Sequence, residues 1–543
     1  MASPLGEEVG YTCKHNKNKE KNDMKTNIRK KISTALVGLM LLPVGVGFLT
    51  SCSEDFLEVT KPDGEPLEEY YTTEETLNEA LTSAYAPLHW PDWDNKAYND
   101  LTIDAEIMGD DFWVGGSDNT DNQHWHRLFN FEGDGNNTLA TLWGDFYSGI
   151  KRCNDAIKYA GWEGKASADF RKSMEMQARL LRVYYYNILW HYYGNVPFYL
   201  ENLSLPYTAP QISADEIYNN LLPELEEIIA SKVLPMRWSN AESGRVSQAF
   251  AMMLYAEMVM YQNDSARYPQ ALTYMKQIIA DSNYSLNPSF TDLWKESGEW
   301  CAESIFEINY NDDQAQRDWG TAALNAGGSV FPTLCSPNGW GGGEGWDGGN
   351  DGWGFLPMRL ETYNMYSEGD LRREATCWDV RSYSYTERYQ DTHIWHGKYR
   401  PQSENNKDCP TSKNLNYNNN KRIYRYAETL LNAAELLLQT GGSMSEAAGY
   451  VNEVRARAGL PALNGVTIDD IFTERHLEFC GEGKRYFDLV RAEGIAGATQ
   501  KASTVLVPDA YGYRTNSWTA SKKYIPLAQS ELDADPTLKQ NNY

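Results

Sequence analysis

The stretch MEMQARLLRVYYYNILWHYYGNVP, residues 174–197, decides the fold class. Its apolar side chains recur every three or four residues, which is the period of one face of an α-helix. Gly194 and Pro197 then end the pattern. The buried face is predicted to comprise Met174, Ala178, Leu181, Tyr185, Ile188 and Tyr192. The stretch therefore predicts one long amphipathic helix.

The same helical period recurs in five later segments, with Ser213 as the N-cap of the first. These segments are residues 213–228, 245–262, 268–280, 423–437 and 450–458. Helices of this length joined by short turns are typical of paired-helix repeats. Because no clean 34-residue consensus is present, we predict a mainly α fold with tetratricopeptide-like packing of helical pairs rather than true repeats.

Long aromatic loops are predicted to interrupt this scaffold. Residues 281–400 lose the helical period and hold eight of the 17 tryptophans, and residues 336–354 are rich in Gly, Trp and Asp. A second aromatic loop region spans residues 89–125. We therefore divide the chain after its leader into 52–280 with the first helices, a loop-rich binding insertion at 281–421, and a helical part at 422–543.

The first 51 residues are expected to be a leader. A cluster of four basic residues, Lys25, Arg29, Lys30 and Lys31, precedes an apolar stretch at 32–49 and then Cys52. This is the order of a secretory signal, and a cysteine at the first mature position is the pattern of bacterial lipoproteins. We expect residues 1–23 to lie upstream of the signal, and Cys52 to carry the lipid that tethers the folded body to a membrane.

Charge and cysteine content exclude several functions. The chain has 49 basic and 75 acidic residues, a net charge of −26, which disfavours nucleic acids, polyphosphates and anionic bilayers as partners. The six cysteines after Cys52 form no CxxC pair, so zinc-ribbon and thioredoxin chemistry are unsupported. Disulfide pairing stays open.

Five motifs in order carry a resemblance to a known family. They are LRVYYY with YGNVP at 181–197, RYAE with LNAAE at 425–435, VNEVRARAG at 451–459, ER, EF and EGKRYFDL within 474–489, and a final YIP, EL and NN from 524 onward. The chain resembles the SusD/RagB family of outer-membrane lipoproteins. The family's proline after the last asparagines is missing.

The resemblance implies a helical scaffold that displays a glycan-binding surface on the extracellular face of the outer membrane. Family members act as lids of a TonB-dependent, SusC-like transporter, to which they deliver oligosaccharides, and they are not enzymes. RagB-like members make a peptide-importing lid the alternative. The loops favour glycan over peptide, because tryptophan beside Asp or Asn suits a sugar better than an apolar peptide pocket does. The polymer stays open among starch, fructan, xylan, mannan and host glycans.

Site residues are predicted from sugar chemistry. A sugar ring offers C–H faces to an aromatic ring and hydroxyls to short polar side chains, so tryptophans flanked by Asp or Asn are candidates. We predict glycan contacts at Trp93, Asp94, Asn95, Asp111, Trp113, Trp319, Trp340, Trp346 and Asp347. At least two of the tryptophans Trp93, Trp113, Trp319, Trp340 and Trp346 are expected to form the platform.

The sequence does not support a catalytic site or a zinc site. Glu474 and Glu478 share a helical face, as glycosidase carboxylates can, but the neighbouring arginines favour an ion-pair network. Histidines at 124–126 and 393–396 lack a completing zinc ligand set. We predict no cofactor, with Ca²⁺ in the Asp-rich loops 110–121 or 347–351 as the open alternative.

Overall fold

Helices dominate the computed structural model, which describes residues 64, 66–93, 98–313, 317–318, 327–339 and 352–543. Within these ranges the chain forms eighteen α-helices and six short strands, and Glu65–Tyr543 cluster into one compact unit. Between residues 66 and 280 the helices are α1 (Leu67–Tyr70), α2 (Glu74–Tyr85), α3 (Leu101–Met108), α4 (Gln123–Phe129), α5 (Ala140–Ala160), α6 (Ala168–Tyr193), α7 (Ala214–Ser231), α8 (Gln248–Gln262) and α9 (Tyr268–Ile279).

The remaining elements are shorter until the last helices. The strands are β1 (Val196–Pro197), β2 (Gln211–Ile212), β3 (Ser304–Ile308), β4 (Cys377–Asp379), β5 (Ile394–His396) and β6 (Lys421–Arg425), paired antiparallel as β1 with β2, β3 with β6 and β4 with β5. The later helices are α10 (Phe331–Leu334), α11 (Leu360–Met365), α12 (Arg372–Thr376), α13 (Tyr426–Gln439), α14 (Met444–Arg457), α15 (Ile468–Phe479), α16 (Arg485–Arg491), α17 (Ala502–Val505) and α18 (Gln529–Ala534).

Local sequence explains where the scaffold helices begin and end. Ser167 caps α6 by accepting the backbone N–H of Phe170, and α6 ends at Gly194, whose φ of 69° suits glycine. Ser213 and Glu216 form a reciprocal capping box at the start of α7. The predicted helix over 174–192 lies within α6, which begins six residues earlier, and the predicted Ser213 cap is confirmed.

The long helices pack in a row that confirms the predicted fold class. Contacts run from α2 to α5, then α6, α7, α8 and α9, and continue through α13 to α14. The late helices therefore extend the early row, although more than 140 residues separate α9 from α13. Helix α5 approaches α6 closely because Gly149 has no side chain: a Cβ there would lie 2.6 Å from the Tyr185 ring.

One predicted boundary is wrong. The helical period counts Ile423 as the first apolar position of a helix, but residues 421–425 form β6, and α13 begins at Tyr426. Strand β6 pairs with the fully buried β3, so the tertiary partner decides the conformation of these five residues.

A buried ion-pair network ties the loop-rich part to the C-terminal helices and confirms the predicted role of the motif glutamates. The Glu474 carboxylate accepts hydrogen bonds from the guanidinium groups of Arg372 at 2.6 Å and Arg455 at 2.9 Å. Glu478 pairs with Arg372, Arg425 and Arg457. Burial alone would raise the pKa of Glu478, but the guanidinium groups of Arg457, Arg425 and Arg372 lower it to about 2. A carboxyl held ionised in this way cannot act as a general acid.

No helix within the described ranges is both long enough and apolar enough to cross a bilayer.

Candidate functional site

The two aromatic loop regions identified in the sequence meet in the structure. Residues 112–116 run alongside 354–358: the Trp113 N–H donates to the Pro357 carbonyl at 2.9 Å and the Gly116 N–H to the Gly354 carbonyl at 2.7 Å. Gly115 has a φ of 79°, and a Cβ there would lie 2.3 Å from the Gly354 oxygen. Only glycine permits this approach, which holds both loops in one body.

A third loop, from Asp509 to Arg514, joins them from the C-terminal part. The Asp509 carboxylate accepts the backbone N–H of Tyr511 at 2.8 Å and of Tyr513 at 3.2 Å, and also accepts that of Arg514. Gly512 lies between the two tyrosines with a φ of 75°. The side chain of Asp509 therefore shapes the turn that presents Tyr511 and Tyr513.

Arg514 anchors this loop to the core. Its buried guanidinium donates to the carbonyls of Phe129 at 2.9 Å and Gly109 at 2.8 Å, and it lies 4.3 Å from the centroid of the Phe129 ring. Burial lowers the pKa of Arg514 to about 9. The turn is thus fixed on the same scaffold that carries Trp113.

His126 of helix α4, Tyr389 and the two tyrosines of the C-terminal loop form an aromatic surface, which we call the aromatic face. It comprises His126, Tyr389, Tyr511 and Tyr513. The rings of Tyr511 and Tyr513 are nearly parallel, with an angle of 12° and centroids 5.9 Å apart. Tyr389 packs against Tyr513 at 5.6 Å, and His126 against Tyr389 at 5.7 Å. Tyr511 is the most open member, with 56% of its surface exposed.

Trp113 supports these rings from below. Its ring makes T-shaped contacts with Tyr511 at 5.6 Å and Tyr513 at 5.1 Å between centroids, and the Arg359 guanidinium lies 4.3 Å from its ring centroid. Such edge-to-face contacts each add about 0.5–1.5 kcal/mol beyond simple burial. The exposed tyrosines therefore rest on a rigid base.

Tyr98 and Trp353 form a second pair of aromatic rings, and Asp121 lies close to both Tyr98 and His126. The two ring centroids of this pair are 5.3 Å apart, and each ring contacts the buried Trp93, at 5.4 Å for Tyr98 and 6.4 Å for Trp353. Both rings are half-buried. Residues 94–97, which precede Tyr98, and residues 340–351, which precede Gly352 and Trp353, lie outside the described ranges.

Polar groups border the aromatic face. Asp121 accepts the Ser117 N–H at 2.9 Å, Tyr389 donates its backbone N–H to the Gly116 carbonyl at 3.2 Å, and Arg388 donates to the Trp353 carbonyl at 3.1 Å. Burial lowers the pKa of His126 to about 4, so its imidazole is neutral near pH 7. Carboxylates and a neutral imidazole next to exposed rings suit a hydroxylated, uncharged ligand.

The sequence predicts exposed rings at Trp93 and Trp113, and the structure corrects this. Both are only 2% exposed, since residues far away in the sequence enclose them. Asp111 is fully buried as well, where it accepts the Thr362 hydroxyl at 2.9 Å and pairs with His476 at 2.5 Å. Trp113 therefore lies beneath the platform, and Asp111 faces the core.

The other predicted site residues lie outside the described ranges. These are Cys52, Asp94, Asn95, Trp319, Trp340, Trp346 and Asp347. Their assignment stays a prediction from the sequence.

Sequence reasoning missed Tyr389, Tyr511 and Tyr513. The one local signal is the segment DAYGYR at 509–514, in which two tyrosines flank a glycine and follow an aspartate. The predicted tryptophan sites rest on the same pattern, an aromatic ring beside a carboxylate. Applied to tyrosine as well as tryptophan, this pattern identifies the turn.

One acidic cluster bears on the open Ca²⁺ alternative. Asp110, Asp111 and His476 have ligand atoms within 4.8 Å of one another. However, Arg485 donates two hydrogen bonds to Asp110, at 2.8 and 3.1 Å, and compensates its charge. The carboxylates of Asp118 and Asp121 accept nearby backbone N–H groups. Among the described residues all six cysteines are free thiols.

Comparison with known proteins identifies relatives along the whole described chain. Residues 377–543 match the model of the SusD family. The SusD-like protein P38 of Formosa agariphila is 26% identical over 556 residues, covering 94% of this chain and 99% of that protein.

Solved structures are more similar still. Surface glycan-binding protein A from Bacteroides uniformis is 61% identical with a TM-score of 0.81, covering 86% of this chain and 99% of that one. Surface glycan-binding protein A from Bacteroides thetaiotaomicron, solved in complex with laminarihexaose, is 50% identical with the same TM-score, covering 87% of this chain and all of that one.

Proposed function

Because the chain belongs to the SusD/RagB family, we propose that it is a non-catalytic, cell-surface binding protein whose aromatic face captures a neutral glucan of the laminarin kind. The observation that carries the proposal is the exposed Tyr511 ring, held parallel to Tyr513 and supported by Trp113. The laminarihexaose bound by a relative at 50% identity supports the choice of glycan class.

The chemistry of the aromatic face favours a neutral sugar. The C–H face of a pyranose ring packs on an aromatic ring, and its hydroxyls donate to carboxylates. Asp118 and Asp121 lie close to His126, Asp509 lies close to Tyr389, and the whole chain carries a net charge of −26. An acidic polysaccharide would be repelled by this field.

The predicted tryptophans remain part of the proposal. We expect further sugar contacts from Trp319, Trp340, Trp346, Asp94, Asn95 and Asp347. Residues 94–97 directly precede Tyr98 in the sequence, and residues 340–351 precede Gly352 and Trp353, so five of these six residues lie close in sequence to those two rings. Several weak ring contacts along one polymer chain would raise its apparent affinity above that of a short oligosaccharide.

Membrane attachment and delivery complete the proposal. Lipid on Cys52 would hold the protein at the outer membrane, facing outward, and a SusC-like TonB-dependent transporter would receive the captured oligosaccharide. Metabolic labelling with a fatty-acid analogue that is lost in Cys52→Ala tests the anchor. Co-purification of a barrel transporter with the tagged protein from outer membranes tests the partner. Labelling that persists in Cys52→Ala, or a preparation without the transporter, would contradict these parts.

Affinity electrophoresis tests glycan capture. The chain should be retarded in native gels that contain laminarin, and Tyr511→Ala should reduce the retardation. Burying a large side chain contributes about 1.5–3 kcal/mol, and Tyr511 has 56% of its surface left to cover, so the loss should be about 1–2 kcal/mol, or roughly 5- to 30-fold in Kd.

A matched variant controls for surface tyrosines in general. Tyr207 is 65% exposed in the loop between β1 and β2, so Tyr207→Ala should migrate like the unmodified chain. Unchanged retardation in Tyr511→Ala would refute the aromatic face as the binding surface. Retention by immobilised peptides instead of any glycan would favour the RagB-like alternative.

A further inference from the structure

We infer that a groove along helix α5, separate from the aromatic face, is a second binding site for a hydroxylated, uncharged sugar ring. The groove encloses about 720 Å³, within the usual size of a small-molecule site. Its lining includes Ser83, Trp90, Thr141, Gly144, Ser148 and Arg152, none of which belongs to the aromatic face. The class of ligand rests on the proposed function, whereas the site itself rests on the geometry that follows.

Trp90 offers an unsatisfied donor at this groove. Its side chain is 3% exposed, yet its indole Nε1–H has no hydrogen-bond partner. Leaving a buried donor unpaired is unfavourable, and buried indole N–H groups usually find a partner. The nitrogen itself exposes less than 1 Å², but the Trp90 ring lines the groove, so a ligand's acceptor oxygen would pair with this donor once the ring turns slightly toward the groove.

Arg152 and Thr141 add further polar groups beside this donor. The Arg152 guanidinium lies 4.9 Å from the Trp90 ring centroid and donates to the Ser83 hydroxyl at 2.6 Å, which fixes both the ring and the arginine. The Thr141 hydroxyl accepts from the Asn99 amide at 2.5 Å, which leaves its own hydrogen available as a donor, and Thr141 lines the groove.

Gly144 keeps the floor of the groove open. Glycine inside a helix stabilises the helix less than alanine does. Gly149 in the same helix has a packing reason, since a Cβ there would meet the Tyr185 ring at 2.6 Å. A Cβ on Gly144 would meet no atom within 4 Å, so packing does not require glycine at this position. The open space beside Gly144 is therefore available to a ligand.

The charges of the groove are already balanced. Lys151 pairs with Asp155 at 2.8 Å, and the other two charged side chains of the lining, Arg152 and Asp145, carry opposite signs. No excess of either sign is left to select an ionic ligand. Hydroxyl donors and acceptors beside an indole N–H instead fit a neutral sugar.

Nuclear magnetic resonance of the indole N–H groups tests the site directly. The full chain is labelled with ¹⁵N-tryptophan and titrated with laminarihexaose, and Trp90→Phe identifies the Trp90 resonance. That resonance should shift and saturate with added hexaose. Trp190 is the internal control, because its Nε1–H is also unpartnered but its side chain is fully buried in the main core, so its resonance should not move.

Filling the groove provides the matched variants. Gly144→Phe should raise the hexaose concentration at which the Trp90 shift is half complete by at least tenfold. Gly449→Phe makes the same change at another exposed helical glycine with open space around it, in α14, and should leave the shift unaltered. Tyr511→Ala should also preserve it, since that residue belongs to the other site.

The outcomes separate this inference from the proposed function. Absence of a Trp90 shift while Tyr511-dependent binding persists would overturn the groove site alone. A shift that survives Gly144→Phe would overturn it as well, since the ligand would then lie elsewhere. If Tyr511→Ala does not change retardation by laminarin, but the Trp90 resonance shifts and Gly144→Phe abolishes that shift, the groove is supported and the aromatic face is overturned.

Discussion

The variant Trp113→Ala tests whether Trp113 is a buried residue that supports the aromatic face or an exposed residue that contacts the glycan itself. The side chain is 2% exposed and is enclosed by Phe129, Tyr511 and Tyr513, with the Arg359 guanidinium over its ring. Removing a buried tryptophan costs about 3–5 kcal/mol through lost transfer energy and the cavity that remains. A desolvated cation–π contact contributes about 2 kcal/mol within that loss. We therefore expect Trp113→Ala to lower the free energy of unfolding by about 3–5 kcal/mol.

The assay is equilibrium unfolding in urea, followed by far-ultraviolet circular dichroism, with glycan affinity measured under conditions where the variant stays folded. Trp113→Phe should lose less stability, because an aromatic ring still fills part of the space. The control Trp162→Ala removes a half-buried tryptophan near the end of α5 and should cost less than half as much. Trp113→Ala with unchanged stability but weakened glycan binding would refute the reasoning, since an exposed platform ring behaves in that way.

Three further predictions concern the scaffold. Glu478→Gln should lower the free energy of unfolding by about 3–5 kcal/mol in urea titrations, because it leaves buried arginines without their partner; a loss below 1 kcal/mol would contradict this. The pKa values of Glu478 and Asp488 are both lowered to about 2 in the folded chain, so their contribution is present above about pH 4.5 and is lost as the pH falls towards 2; acid titrations of stability should show this loss, and a stability that is flat over that range would argue against it. Gly149→Ala should destabilise the chain because its Cβ meets the Tyr185 ring, whereas Gly144→Ala should stabilise it by up to about 1 kcal/mol; equal effects in thermal unfolding would disprove the packing difference.

The helical scaffold was largely predictable because its signals are local. The apolar period of residues 174–192 and the Ser213 cap depend on neighbours within one or two turns, and both match α6 and α7. The apolar period that continues into α13 predicts a helix at Ile423, but the conformation of this residue depends on the pairing of β6 with β3, which lies more than 100 residues earlier.

The aromatic face was only partly predictable for a related reason. A tryptophan beside an aspartate suits both a sugar platform and a core anchor, and distant residues decide between them. Arg359 and Tyr513 enclose Trp113, which places it below the surface. Tyr511 is exposed because Asp509 shapes its turn and Arg514 anchors that turn to the core, and neither contact appears in the apolar pattern.

The structure of the full chain with bound laminarihexaose would test the central claim most directly. Sugar rings are expected to pack against Tyr511 and near Tyr513 or Tyr389, with hydroxyls towards Asp121 or Asp509. A hexaose that occupies other surfaces and leaves Tyr511 uncovered would contradict the assignment of the aromatic face.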